Sequence, residues 1–278
     1  MNNDTPVRVF IGSGEASLLE RKALLYSLRK HTRNPLDIYV FNGTHNALEH
    51  NDEPPVPAGM SLKVKYRNVT EFSNYRFLIP QICGHEGRAI FLDSDMICLG
   101  DIAELFHAPM EGCSLLAKGE AYAGAGSWGL SVTLFDCARS HFDLDAIFDE
   151  IDRGLFTYKD LHQLTPAFLT HHPHTVGQID PHWNVFDSYD SDTKLIHYTN
   201  LFQQPWKHPG HPCGELWFRY FNEARTAGAI TQQDIDTTKI RSYVRQDILE
   251  GNNPRPPGHG WRLPSVRAAV RRMMGGTK

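Results

Sequence analysis

The sequence predicts an α/β protein: an open, mixed and mostly parallel sheet flanked by helices, followed by a C-terminal helical appendage. Three observations carry that reading. Strand-like and helix-like segments alternate through the first third of the chain, the pattern of βαβ units with right-handed crossovers. One strand-like run, "RAIFLD" (88–93), has few polar positions, as a strand covered on both faces requires. Two acids, Asp93 and Asp95, stand where that run stops, at the strand end where open α/β sheets bind their ligands.

The elements follow in chain order. "VRVFIG" (7–12) is β-branched and closed by Gly12 and Gly14, which reads as a first strand. "ASLLERKALLYSLRKH" (16–31) sets Leu19, Ala23, Leu24 and Leu28 at helical spacing, with Ser17 placed to cap its start. "LDIYVF" (36–41) and "SLKVKY" (61–66) read as the second and third strands, and "SNYRFLIPQIC" (73–83) as a helix interrupted near Pro80. "LGDIAELF" supplies a helix that Asp101 can cap. "WGLSVTLFDC" (128–137) reads as a strand and "HFDLDAIFDEIDRG" (141–154) as a helix ended by Gly154. Residues 157–193 read as turns and short pieces, and "TKLIHYT" (193–199) as a further strand. After a stretch rich in proline and glycine, "GELWFRYFNEARTAG" (214–228) places Leu216, Trp217, Tyr220, Phe221 and Ala224 along one side of a helix. Residues 1–250 are read as one domain, and 251–278 as a proline-rich linker with a short basic helix.

Composition narrows the class. With 278 residues, 41% of them hydrophobic and 22% charged, the chain can build one large core. A net charge of −4 gives no reason to expect a nucleic-acid partner. Five cysteines without a C-x-x-C pair point to a reducing compartment and away from a closed zinc site. No leader-like segment stands at the N-terminus and no run is long enough to span a bilayer, so the expected location is cytoplasmic. The last stretch carries Arg255, Arg262, Arg267, Arg271, Arg272 and Lys278 without one acid, which reads as a peripheral contact with an anionic inner leaflet.

Two carboxylates so close repel one another unless solvent or a cation compensates them. An Asp-x-Asp after a strand often does no more than solvate a turn. Here a second apolar strand, "KLIHYTN", ends with His197 on its lip, and two carboxylates with one imidazole form a mixed oxygen and nitrogen set. That set suits Mn²⁺ or Mg²⁺, either of which can carry a diphosphate and neutralise charge on its leaving oxygen.

"RVFIGSGE", "FSNYRFLIPQICGHEGRAIFLDSDMICLGDIAELF", "SWGLSVTLFDC", "IDPHWNVFD" and "KLIHYTNLFQQPWKHPGHP" resemble, in that order, retaining nucleotide-sugar glycosyltransferases of family eight and their bacterial relatives. The resemblance runs from about Val7 to Gly228 and is specific in the Asp-x-Asp and histidine-to-Pro-Trp blocks. It implies a GT-A fold, a nucleotide-diphosphate sugar donor (a UDP-sugar) and a Mn²⁺ ion held by Asp93, Asp95 and His197. Ser94 falls between the two ligands. Arg76 matches a basic residue near the donor diphosphate, and Phe10, Gly12 and Ser13 match the segment that cradles base and ribose. The family's lysine before Pro-Trp is replaced by Gln204, with Lys207 as the substitute charge. Gln163, Gln178 and Asp180 compete for the polar position near the acceptor and anomeric carbon. The implied activity is transfer of a hexose-type sugar, with retention, to a saccharide or glycolipid acceptor.

Retention is expected through a front-side displacement in which the departing phosphate takes the acceptor proton, since no acid in 155–185 stands out as a nucleophile. His171, His172 and His174 form a second cluster of metal-ligand type. Two other functions compete. "FLDSDMI" resembles the aspartyl nucleophile loop of haloacid-dehalogenase phosphatases, and the missing lysine leaves room for a nucleotide-sugar binder without turnover.

Overall fold

The structure, a computed structural model, describes residues 5–57, 70–120 and 126–252. The expected strand at 61–66 and the proline-rich tail with its basic helix lie outside the described residues.

Alternation along the central strands decides the layers. β1 (Val7–Ser13) sends Val7, Val9 and Ile11 to one face, and Phe10 to the other, as period-two geometry requires. β5 (Arg88–Asp93) divides in the same way, with Ile90 and Leu92 opposite Ala89 and Phe91. The first face packs on Leu24 and Leu28 of α1 (Leu18–His31). The second is covered by Tyr75, Phe77 and the helical segments after residue 142. Burial on both faces explains the unbroken apolar run that the sequence displays at 88–92.

The main sheet has eight strands in the order β4-β3-β2-β1-β5-β8-β7-β9. Its parallel centre is β2 (Leu36–Asn42), β1 and β5, and β7 (Leu115–Gly119) pairs in parallel with β9 (Val176–Gln178). Antiparallel pairing joins β5 to β8 (Trp128–Asp136), β8 to β7, β2 to β3 (Ala47–His50), and β3 to β4 (Val56–Pro57). A small second sheet has the order β10-β11-β6, from Val185–Phe186, Leu195–His197 and Met96–Cys98.

Two local expectations are corrected. Residues 73–83 form no interrupted helix: a tight 3₁₀ turn at Tyr75–Leu78 leads into α2 (Ile79–Ile82), with Pro80 in its first turn, where a missing N–H costs nothing. Ser17 stands at the start of α1 without capping it. Asp101 does cap α3 (Ile102–Phe106), accepting from the Ala103 N–H, and Asp143 caps α4 (Leu144–Asp152) in the same manner. Residues 157–193, read as turns and short pieces, contain α5 (Tyr158–Gln163) and α6 (Pro166–His171), helices too short for periodicity to reveal. Near the end, α7 (Gly214–Thr226) buries Leu216, Trp217, Tyr220, Phe221 and Ala224 in a third cluster that reaches Leu19 and Ala23 of α1. α8 (Gln232–Ile240), which the sequence reading passed over, follows it.

Candidate functional site

Register builds the centre. Gly12 of β1 pairs with Asp93 of β5, so both strands finish at one edge of the sheet. The chain turns through Ser94 and Asp95 into β6, and β6 pairs antiparallel with β11, setting His197 opposite Met96. Backbone pairing therefore carries an imidazole across about a hundred residues of sequence to the acidic pair. One ligand atom from each of Asp93, Asp95 and His197 lies within 4.8 Å of the others, the only such group among the described residues.

The three side chains are held from behind. His197 Nε2 stands 3.0 Å from Asp95 Oδ1. Its Nδ1 donates to the Asn184 side-chain oxygen at 3.1 Å, and the Asn184 amide donates to Ser131 Oγ at 2.9 Å. The Nδ1 bond leaves Nε2 as the ring nitrogen that faces the acids, the usual arrangement of a metal-binding histidine, and a metal ion would take the place of the Nε2 proton that the Asp95 contact implies. Gln204 donates to Asp95 Oδ2 at 3.1 Å and to the Tyr198 carbonyl. Arg76 reaches Asp93 Oδ1 at 3.2 Å, is pinned by the Ser73 and Leu130 carbonyls, and lies over the Phe91 ring. Burial pushes the Asp93 carboxyl up to about 6, opposed by Arg76 and reinforced by Asp95. For His197, burial alone favours the neutral ring, yet the attraction of Asp95, Asp93 and Asp187 leaves its pKa raised. A concentrated, recessed negative charge of this kind, with two oxygens and one nitrogen converging, fits a divalent cation such as Mn²⁺ or Mg²⁺.

Two clefts meet at this centre and share Arg76, Asp93 and His162. The first, about 480 Å³, is lined by Gly14, Ser17 and Glu20 on one side and by Gln204 and Lys207 on the other. The second, about 390 Å³, is lined by Glu120, Trp128, Ser131, Lys159, Gln163 and Phe186. His162 at their junction is kept neutral by burial and by Arg76, and its Nε2 meets Asn74 Oδ1 at 2.8 Å.

The sequence-derived residues separate into three groups. Asp93, Ser94, Asp95, Arg76, Gln204 and Lys207 line the first cleft, and His197 and Gln163 the second. Phe10, Gly12 and Ser13 do not line either one. Phe10 is fully buried between Tyr39 and Phe41, and a Cβ on Gly12 would strike Phe72 and Phe91, so this strand end supports the cleft from beneath. Gln178 and Asp180 are engaged elsewhere. Gln178 bonds the Gly119 N–H and the Ile179 carbonyl, while Asp180 caps the turn Pro181–Trp183 and pairs with His182 and Lys194. Of the three competitors only Gln163 faces the clefts, and its buried side-chain oxygen has no partner. The His171–His174 cluster is structural: His172 pairs with Glu150 at 2.6 Å, His174 stacks on Phe142, and His171 leans on Phe156.

Glu120, His162 and Asn184 are the residues that sequence reasoning missed as site components. Glu120 follows β7 as Asp93 ends β5, so its place behind a strand was a readable signal. No local pattern announces the bond of Asn184 to His197.

No protein-family model matches the chain, and no curated protein matches it. Solved structures match its fold. The glycosyltransferase GlyE of Streptococcus pneumoniae TIGR4 aligns with 81% of this chain and 64% of its own, at 15% identity and a TM-score of 0.53. The bifunctional glycosyltransferase WbbM aligns with 85% and 52%, at 15% identity and a TM-score of 0.58. The galactosyltransferase LgtC, solved with donor and acceptor sugar analogues, aligns with 81% of this chain and 100% of its own, at 10% identity and a TM-score of 0.57. The chain thus spans about two thirds of GlyE and half of WbbM, but all of LgtC. At these identities the likeness establishes the fold, which is GT-A. Among the described residues no helix is long and apolar enough to cross a membrane.

Proposed function

We propose that this chain is a metal-dependent glycosyltransferase that moves a hexose-type sugar from a nucleotide-diphosphate donor, a UDP-sugar, to a saccharide or glycolipid acceptor with retention. The observation that carries the reading is the convergence of Asp93, Asp95 and His197 where two clefts join. One cleft would take the donor and the other the acceptor, so that the bond to be broken lies over Asp93. The GT-A fold and the crystallisation of LgtC with sugar analogues support the same reading.

A bound Mn²⁺ or Mg²⁺ would neutralise the charge that develops on the leaving diphosphate. The chain's own groups supply the rest. Arg76, held by two carbonyls and Asp93, places a fixed positive charge at the floor shared by both clefts. Lys207 adds a second cation on the donor side, in place of the family's lysine. Gln163 offers an unpartnered carbonyl oxygen to a sugar hydroxyl, and neutral His162 beside it does not compete for charge. Front-side displacement asks no more of the chain than this, because the departing phosphate accepts the acceptor's proton. Residues 1–250 are proposed as the transferase domain, and the basic tail as a contact with an anionic bilayer, tested by truncating 262–278 and fractionating cells.

The phosphatase alternative places its nucleophile after the first strand of the domain, whereas Asp93 ends the fifth strand among the described residues. Assay of nucleotide-sugar turnover with Mn²⁺ across a panel of donors tests the reading. Release of nucleoside diphosphate supports it; release of inorganic phosphate identifies a phosphatase, and binding without turnover an inactive receptor.

A further inference from the structure

Away from both clefts, at the opposite end of the central strands, one turn gathers three residues that the transferase reading does not use. Cys83 follows α2, and its N–H closes on the Ile79 carbonyl. The next residues form the turn into β5, with Glu86 N–H bonded to the Cys83 carbonyl. Cys137, directly after β8, donates its N–H to the Gly87 carbonyl at 2.9 Å, so the β5–β8 pairing fixes it beside that turn. Arg8 of β1 reaches the Glu86 carbonyl at 3.4 Å from the third side. Cys137 is fully buried and Cys83 half-buried against the same apolar cluster.

We propose that Cys83 and Cys137 are a reversible oxidation site, in which a hydroperoxide oxidises Cys83 and Cys137 resolves it to an intramolecular disulfide. The half-buried member meets the oxidant and the fully buried member stands behind it, the order that such a two-step reaction needs. Cys83 thiolate attacks one oxygen of the peroxide: an S–O bond forms, the O–O bond breaks, and the departing hydroxide takes a proton to leave as water. Cys137 then attacks the sulfenic sulfur, its proton leaves with the hydroxyl as a second water, and the S–S bond closes. Two thiols and one hydrogen peroxide give one disulfide and two waters, and a dithiol reductant reverses the change.

Electrostatics favours this division of labour. The hydrogen bond from Cys137 draws the Cys83 thiol down to about 7; burial opposes it and the Arg8 guanidinium assists it. The same bond, with burial, drives the Cys137 thiol far upward, so that the proton resides there. Asp37 and Asp136 face the pair with the opposite influence, and Arg8 is itself tied to Asp37 at 3.4 Å. Oxidation would join the segment that carries Arg76 to β8, whose Leu130 carbonyl already holds Arg76.

The experiment needs no knowledge of the substrate, so its failure is separate from failure of the transferase reading. The reduced, full-length protein is treated with hydrogen peroxide, its remaining thiols are alkylated, and its peptides are mapped. A linked Cys83–Cys137 peptide that dithiothreitol releases is expected, with Cys113, also half-buried, recovered as a single alkylated thiol. In Cys137→Ser, Cys83 should be trapped as sulfenic acid by dimedone. In Arg8→Gln, alkylation of Cys83 at pH 7 should slow by about tenfold, with recovery in Arg8→Lys. The proposal is overturned if the unmutated protein keeps both thiols free after peroxide, or if Cys83 reacts no faster than Cys113.

Discussion

The two clefts share a floor but take their walls from different elements. The first cleft, proposed above for the donor, draws on the ends of central strands and the first turn of α1. Its acids Asp95 and Asp93 are tied to Gln204 and Arg76, while Glu20 Oε2 and Gln204 Oε1 are buried there without a partner. The second cleft, proposed for the acceptor, takes its wall from the short helix α5 and the start of β8, and it holds His197, tied through Asn184 to Ser131, as well as the unpaired buried oxygen of Gln163. A pre-paired network is built to hold a charged group in one geometry, and an unpaired amide is built to gain its bond when a ligand arrives. Each cleft holds groups of both kinds, so the two differ in the elements that position them, strand ends and α1 on one side and the short helix α5 on the other.

The comparison breaks most decisively at Asp95. Asp95→Ala should lower turnover about a thousandfold and abolish Mn²⁺-dependent nucleotide binding in calorimetry, while the fold survives. Retained Mn²⁺-dependent turnover in that variant is incompatible with the metal role. Asn184→Ala touches no substrate, yet it frees the His197 ring. It should weaken Mn²⁺ affinity by about 10–100-fold, measured by titration, with nucleotide affinity falling in step. Equal metal affinity in variant and parent would place His197 outside the ligand set.

Glu20 sharpens the donor side from another direction. Burial pushes its carboxyl up to about 7, against the attraction of Lys207, and one of its oxygens has no partner. Because the folded-state pKa lies above the ordinary value of 4.5, the folded protein keeps this proton where the unfolded chain has lost it. Stability should therefore fall as pH rises from about 4.5 to 7 and level off above that window. Glu20→Gln should flatten the slope and gain up to about 3 kcal/mol at pH 8, read from urea melts at several pH values. Parallel pH profiles for the two proteins would refute the assignment. The smallest expected effect lies on the acceptor side. Gln163→Ala should raise the acceptor KM by about fivefold, the worth of one hydrogen bond, and leave donor binding unchanged. A change in donor affinity instead would assign Gln163 to the other cleft.

Helix starts show why some of this was legible and some was not. Three helices begin with a hydroxyl residue followed three positions later by an acid. Thr157 with Asp160 and Thr231 with Asp234 close full capping boxes. Ser17 with Glu20 carries the same signature, yet Ser17 makes no cap bond and Glu20 lines the donor-side cleft. A local pattern states what a turn can do, and the neighbours decide what it does. Asp101 kept its capping role because nothing competed for it, whereas Glu20 lies opposite Lys207, 187 positions away in the chain.

By itself the sequence determined the alternation of elements, the buried strand at 88–92, and the acids at its mouth, because these depend on periodicity over a few residues. It also marked His197, because an apolar strand ending in a histidine is a local signal. Only the tertiary structure decided that His197 reaches the acids, that Gln163 rather than Gln178 or Asp180 faces the cleft, and that Cys83 meets Cys137. Those facts rest on strand pairing and layer packing between distant segments, and no short window of residues contains the energy of a contact with a partner it does not include.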